Sequence, residues 1–130
     1  MKDIVAKFEA EGHIVKSTSQ YAAQGVLANK YDEAGNVKGH RLTFDYRQLN
    51  NDTVPASHPP PLPESISDEL YGFRSFVKMD CSSGFHQILN DPETRHKTAF
   101  RIGNQLYEWV TMPMGLRNSP ATYQAAMEMF

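Results

Sequence analysis

The chain has 130 residues, 40% of them hydrophobic and 22% charged. That suits one globular domain, and no run approaches the roughly 18 consecutive apolar residues of a membrane-spanning helix. The formal net charge of −2 argues against the strongly basic face of a tight nucleic-acid binder, so such binding by this chain alone is expected to be weak or to rely on further parts.

The acidic excess is local. Residues 51–70 carry four acids and no base, while the stretches on either side are nearly balanced. The N-terminus, MKDIVAKFEAEGH, has acids and no long apolar run, unlike a secretory signal. A single cysteine, Cys81, excludes an internal disulfide and fits a reducing compartment, cytoplasmic or nuclear. No membrane partner is expected.

In chain order, residues 2–12 predict a short helix with Ile4, Val5 and Phe8 on its apolar face and Gly12 as its stop. KSTSQYAAQ is a polar connection. GVLANKY and HRLTFDY flank DEAGNVKG and predict a hairpin with a long tip. NDTVPASHPPPLP, residues 51–63, holds five prolines and excludes regular structure. It reads as a linker, the commoner outcome for this composition, or as a strap laid on the surface. A short helix follows, starting near Pro63 or Ser65 and ending near Leu70.

Residues 74–80 predict a strand with Phe76, Lys78 and Asp80 on one face and Val77 and Met79 on the other. SSGFHQIL predicts a helical turn. KTAFRI and QLYEWV, joined by Gly103-Asn104, give the strongest hairpin signal. After the loop TMPMGLRNSP, Asn118 or Ser119 caps a helix with Pro120 at its start, still running when the sequence stops.

The chemistry-bearing residues have competing readings. Asp80, between an apolar strand and a Ser-Ser-Gly turn, is a helix cap or a metal ligand, and a lone carboxylate does not make a metal site. Lys30, Arg41 and Arg47 on or near the first hairpin are a solvated basic face or a polyphosphate clamp. Phe85 alone reads as core. His13, His40, His58, His86 and His96 lack metal-ligand spacing, and Cys81 has no base beside it to make it a nucleophile. Met112, Met114, Met127 and Met129 read as core filler.

Four blocks in order carry a resemblance: LTFDYRQLN, KMDCSSGFHQI, KTAFR and YEWVTMPMGLRNSPATYQ. Together they resemble the reverse transcriptase of Gypsy-type LTR retrotransposons over roughly residues 4–130. The resemblance implies an α+β fold, a fingers β-hairpin plus a partial palm of a right-hand polymerase. Residues 1–62 would be the fingers part with its Pro-rich strap, and residues 63–130 fingers and partial palm, up to the start of the helix that precedes the family's Y-x-D-D hairpin. Asp80 matches the first catalytic aspartate, and therefore a ligand of Mg²⁺ in two-metal nucleotidyl transfer. The turn behind it, Ser83 and Gly84, would offer backbone N–H groups to a deoxynucleoside triphosphate.

By the same resemblance Phe85 matches the steric gate that excludes a 2′-hydroxyl. Arg41 matches the fingers arginine on the triphosphate, Lys30 its lysine partner, and Met114 and Gly115 line the nucleotide pocket. Arg47, Asn50 and Pro120 fall in segments facing the RNA or DNA template-primer. The spacing from Asp32 to Arg41 is longer than in most relatives. Met114 stands where relatives have Gln or Phe, and Ser82 where many have Arg.

The family's Y-x-D-D hairpin follows the last helix, and these 130 residues do not contain it. The expectation is a reverse transcriptase fragment that binds Mg²⁺ weakly and does not polymerise by itself. Its fold would be marginal, with an apolar face around Val77, Met79 and Tyr123 and open strand edges that invite self-association. The alternatives are a non-enzymatic remnant, a nucleic-acid- or protein-binding module derived from such an enzyme, and an unrelated α/β metal-binding domain.

Overall fold

The computed structural model of the protein describes residues 1–57 and 63–129. Its first element, α1 (Lys2–Ala10), buries Val5 and lays Phe8 against the core. The helix ends at Gly12, whose φ of +76° lets its N–H reach Glu9 O at 3.1 Å while His13 N–H reaches Phe8 O at 2.9 Å. This paired closure is the glycine-dependent helix stop, and it brings the residue after the glycine back onto the last turn. His13 accordingly meets the Phe8 ring, with ring centres 6.1 Å apart.

Five strands form one sheet: β1 (Ile14–Lys16), β2 (Ala23–Tyr31), β3 (Val37–Phe44), β4 (Phe100–Ile102) and β5 (Gln105–Trp109). Their spatial order is β1-β5-β4-β2-β3, with β2 parallel to β4 and the other pairs antiparallel. The β2–β3 hairpin has a register shift at Lys30/Tyr31, and Asp32 holds its tip by accepting N–H bonds from Ala34 and Asn36 at 3.0 and 2.8 Å. The β4–β5 turn falls on Gly103-Asn104 as predicted, with Gly103 at φ +60°.

Ile14, Phe100 and Trp109 are fully buried and form the core with Val5 and Tyr46. The Tyr46 hydroxyl donates to Thr98 O at 2.7 Å, and Trp109 N–H to Thr98 Oγ1 at 3.1 Å. Burial pushes the Tyr46 phenol well above its ordinary pKa.

The sequence reading differs from the structure at several places. It extends the second hairpin arm to Tyr46, but the ladder ends where Asp45 N–H bonds Gln24 O at 3.0 Å. There Asp45 Oδ1 accepts Arg47 N–H at 3.2 Å and starts α2 (Arg47–Asp52). β1 also goes unread, because three residues carry no period and the strand exists only through its pairing with β5.

The strand expected over 74–80 is a correction. The segment forms no strand and joins no ladder with any of the described residues, and Val77 and Met79 are 87% and 86% exposed. An apolar, alternating run becomes a strand only beside a partner that completes its ladder. Of the four methionines read as core filler, Met112 alone is buried, while Met114, Met127 and Met129 are exposed.

Helix α3 (Pro63–Leu70) matches its expected ends. Helix α4 (Ser119–Met127) begins after Asn118, with Pro120 in its first turn. Asn118 caps nothing with its side chain. Its Nδ2 donates to Val54 O and its Oδ1 accepts Ala56 N–H, both at 2.9 Å. The described part of the Pro-rich stretch is therefore a strap pinned to α4, rather than a free linker. The rest of that stretch, with His58 and the boundary expected after residue 62, lies outside the described residues.

Candidate functional site

A cleft of about 580 Å³ opens between the β2–β3 hairpin, α1, the turn at 83–86 and the loop at 114–115. Lys30 enters it from β2 and Arg41 from β3. In the hairpin register Lys30 stands opposite Gly39 and Arg41 opposite Ala28, which puts both bases on one face. Their cross-strand neighbours are too small to cover them. On the hairpin's other face His40 Nδ1 meets Asn29 Oδ1 at 3.0 Å. Lys7 of α1 adds a third cation, itself paired with Glu11 at 3.8 Å, and among the described residues no Asp or Glu lines the cleft. Lys30 and Arg41 give the cleft a positive field suited to a polyanion.

The inner wall is aromatic: Phe8, Phe44 and Trp109, with His86. His86 stacks on Trp109 and approaches His13 to 5.0 Å between ring centres. Its Nδ1 lies 3.2 Å from Met112 O. Burial, and then the neighbouring His13, hold the His86 pKa below its ordinary value. Trp109 Nε1 is buried without a hydrogen-bond partner of good geometry, although the Tyr46 hydroxyl is near enough for the indole to favour its ionised form slightly.

Ser83 enters the cleft from the start of a 3₁₀ turn, Gly84–Gln87, in the left-handed conformation at φ 51°, ψ 41°. A serine there is unusual, and the surrounding contacts must hold it. His86 N–H closes the turn on Ser83 O at 2.8 Å, and Gln87 Nε2 donates to Ser82 O at 2.8 Å. Among the described residues no side-chain cap bond is made at this turn, so Asp80, which is exposed, does not cap it.

Of the residues singled out from sequence, the cleft gathers Lys30, Arg41, Ser83, Met114 and Gly115. Gly84 and Phe85 sit just behind its rim and face α4, where Tyr123 packs on both. Arg47, Asn50 and Pro120 lie elsewhere. Arg47 makes a two-point ion pair with Asp45, at 2.8 and 2.6 Å, which pulls the Asp45 pKa down to about 2. Asn50 donates to Gly115 O and accepts Arg117 N–H, both at 2.8 Å, clipping α2 to the loop that carries Met114. Pro120 is exposed on α4.

Sequence reasoning assigned no cleft role to Lys7, Phe8, His86 or Trp109. The apolar spacing of Ile4 and Phe8 on α1 was the one available signal. Among the described residues no three His, Cys, Asp or Glu side chains converge as a metal site would require. Asp80 alone therefore does not fit a complete cation site, since a hard divalent cation takes six or more oxygens.

The family model described as reverse transcriptase (RNA-dependent DNA polymerase) matches residues 29–130. The chain belongs to the reverse transcriptase family. The retrovirus-related Pol polyprotein from transposon 297 of Drosophila melanogaster is 38% identical over 117 residues, 90% of this chain and 11% of that protein. That from the transposon gypsy is 34% identical over 119 residues, 91% of this chain and 12% of that protein. The enzymatic polyprotein of Cauliflower mosaic virus is 34% identical over 116 residues, 88% of this chain and 17% of that protein.

The chain thus corresponds to a reverse transcriptase segment of retrotransposon-type polyproteins and spans under a fifth of the length of these relatives. Its fold matches the foamy viral protease-reverse transcriptase in complex with RNA/DNA hybrid, with a TM-score of 0.77 over 97% of this chain and 16% of that one, at 20% identity. The foamy viral protease-reverse transcriptase dRH in complex with double-stranded DNA gives 0.77 at 21% identity, covering 97% of this chain and 21% of that one. The α+β fold expected from sequence is the reverse transcriptase fold. Reverse transcriptases generally work with a divalent metal ion.

Proposed function

We propose that this chain supplies the nucleotide-recognition region of an RNA-directed DNA polymerase, with its basic cleft receiving the triphosphate of a deoxynucleotide. One observation carries the reading. Lys30, Arg41, Ser83, Met114 and Gly115, from three separate stretches of the sequence, line a single cleft with cations and, among the described residues, no acid. Arg41 and Lys30 would hold phosphate oxygens, Arg by its two-pronged guanidinium and Lys as a mobile point charge. The left-handed Ser83 turn would present backbone N–H groups to the same anion. Phe85, behind the rim, would limit the space at the sugar 2′ position.

Asp80 would be one ligand of a Mg²⁺ site whose other protein carboxylates come from another segment. When bound, that cation would supply charge neutralisation at the phosphates. Nucleotidyl transfer is proposed for the assembled polymerase, and recognition for these residues. RNA/DNA hybrid is the proposed macromolecular partner, since the neighbouring fold was solved in complex with it.

The test is titration of the chain with dATP, then with RNA/DNA hybrid at two salt concentrations. Lys30→Ala and Arg41→Ala should each weaken dATP binding about tenfold, the loss expected for a hydrogen bond to a charged group. Arg101→Ala, on an exposed strand residue outside the cleft, should leave it unchanged. Equal affinity in all four proteins would overturn the proposal.

A further inference from the structure

We propose that Tyr123 of α4 is a positioning residue that sets the turn carrying Phe85, so that the sugar preference of the cleft depends on a side chain outside it. This rests on the nucleotide reading above. The Tyr123 ring occupies the space in which Gly84 would carry a side chain. A Cβ built on Gly84 would lie 2.6 Å from the tyrosine Oη, 2.8 Å from Cζ and 2.9 Å from Cε2. Glycine at position 84 thus admits the ring against the turn's backbone. The same ring meets Phe85 edge-on, with centres 5.4 Å apart and planes at 70°. Cys81, then burial, and more weakly Asp80 hold the Tyr123 phenol above its ordinary pKa. One side chain therefore packs on both Gly84 and Phe85.

The rest of the turn's surroundings explains why this contact matters. Upstream, residues 74–80 have no ladder to hold them. Downstream, His86 is fixed by its stack on Trp109 and by Met112 O. The left-handed Ser83 stands between the unpaired segment and the fixed His86. Tyr123 holds the two residues that join them, Gly84 and Phe85, from a helix whose own start is secured by the buried Ser119 hydroxyl donating to Pro113 O at 3.1 Å.

The test compares the wild-type chain with Tyr123→Phe and Tyr123→Leu by amide ¹⁵N order parameters and by competing dATP against ATP. Tyr123→Leu should lower the order parameters of residues 81–85 and leave those of 86–90 unchanged. It should also narrow the preference for dATP over ATP about tenfold, the scale of a lost steric contact in a pocket, while triphosphate affinity through Lys30 and Arg41 holds. Tyr123→Phe, which keeps the ring against Gly84 and Phe85, should retain both the order at 81–85 and the preference. Unchanged order at 81–85 in both variants would overturn the proposal, as would loosening that spreads equally through 86–90. A wild-type chain that binds dATP and ATP alike would sink the gate reading of Phe85, and the order parameters would still decide whether Tyr123 holds the turn.

Discussion

The imidazole of His86 lies flat on the indole of Trp109, ring centres 5.0 Å apart and planes 6° from parallel. His13 is the next ring, Glu11 the nearest acid, and Met112 O the acceptor facing Nδ1. Because burial and His13 lower the folded pKa of His86, the unfolded chain binds the proton more readily. Stability should therefore be full above the unfolded pKa of about 6.5. It should fall with decreasing pH below that value and level off once the folded state is also protonated. Melting temperature measured from pH 7.5 to 5 checks this, and His86→Phe, which keeps a ring on Trp109, should flatten the curve.

Trp109 touches Phe8, Phe44, Phe100 and His86 and is 1% exposed. Trp109→Ala should cost about 3–5 kcal/mol by leaving a large cavity. That is comparable with the whole stability of a small domain, about 5 kcal/mol at the low end, so urea denaturation should find the variant largely unfolded in water.

Gly84→Ala should destabilise the chain because the new methyl group meets the Tyr123 ring. Tyr123→Ala should relieve that clash. In a double-mutant cycle by urea denaturation, the two losses should fall short of additivity by about 1 kcal/mol or more, as expected for residues in contact. Strict additivity would mean that the ring and the glycine do not constrain each other.

Asn118→Ala removes two hydrogen bonds to the strap, at Val54 O and Ala56 N–H. Both are exposed, so the cost should be about 1 kcal/mol. The sharper readout is limited proteolysis, in which cleavage within residues 53–57 should speed up. Unchanged cleavage would show that the strap is held by other means.

The elements that sequence reasoning found are those with strong local signals. Gly12 ends α1 and Gly103-Asn104 turns β4 into β5 because backbone preference alone decides those points. Where structure depends on partners, the reading failed in both directions. Residues 74–80 alternate like a strand yet lack a neighbour, and Ile14–Lys16 has no pattern yet pairs with β5. The cleft was legible through the resemblance at Lys30, Arg41, Ser83, Met114 and Gly115. Lys7 and the His86–Trp109 wall were not, because their presence follows from how α1 and the turn pack on the sheet. The sequence places Tyr123 on an apolar face, since nothing in a helix sequence shows that a glycine elsewhere makes room for its ring.

The parallel pairing of Ala23 with Phe100 has a consequence for how the chain acquires its shape. The β2–β3 hairpin is built from near neighbours and can close by itself. Joining it to the core requires a strand made long afterwards, and β1 must likewise wait for β5. Pairings so remote in sequence carry the loop-closure cost that slows folding. The basic arm of the cleft can thus exist before its aromatic wall. During synthesis, the nascent hairpin should present Lys30 and Arg41 while the surface beneath them is still unformed.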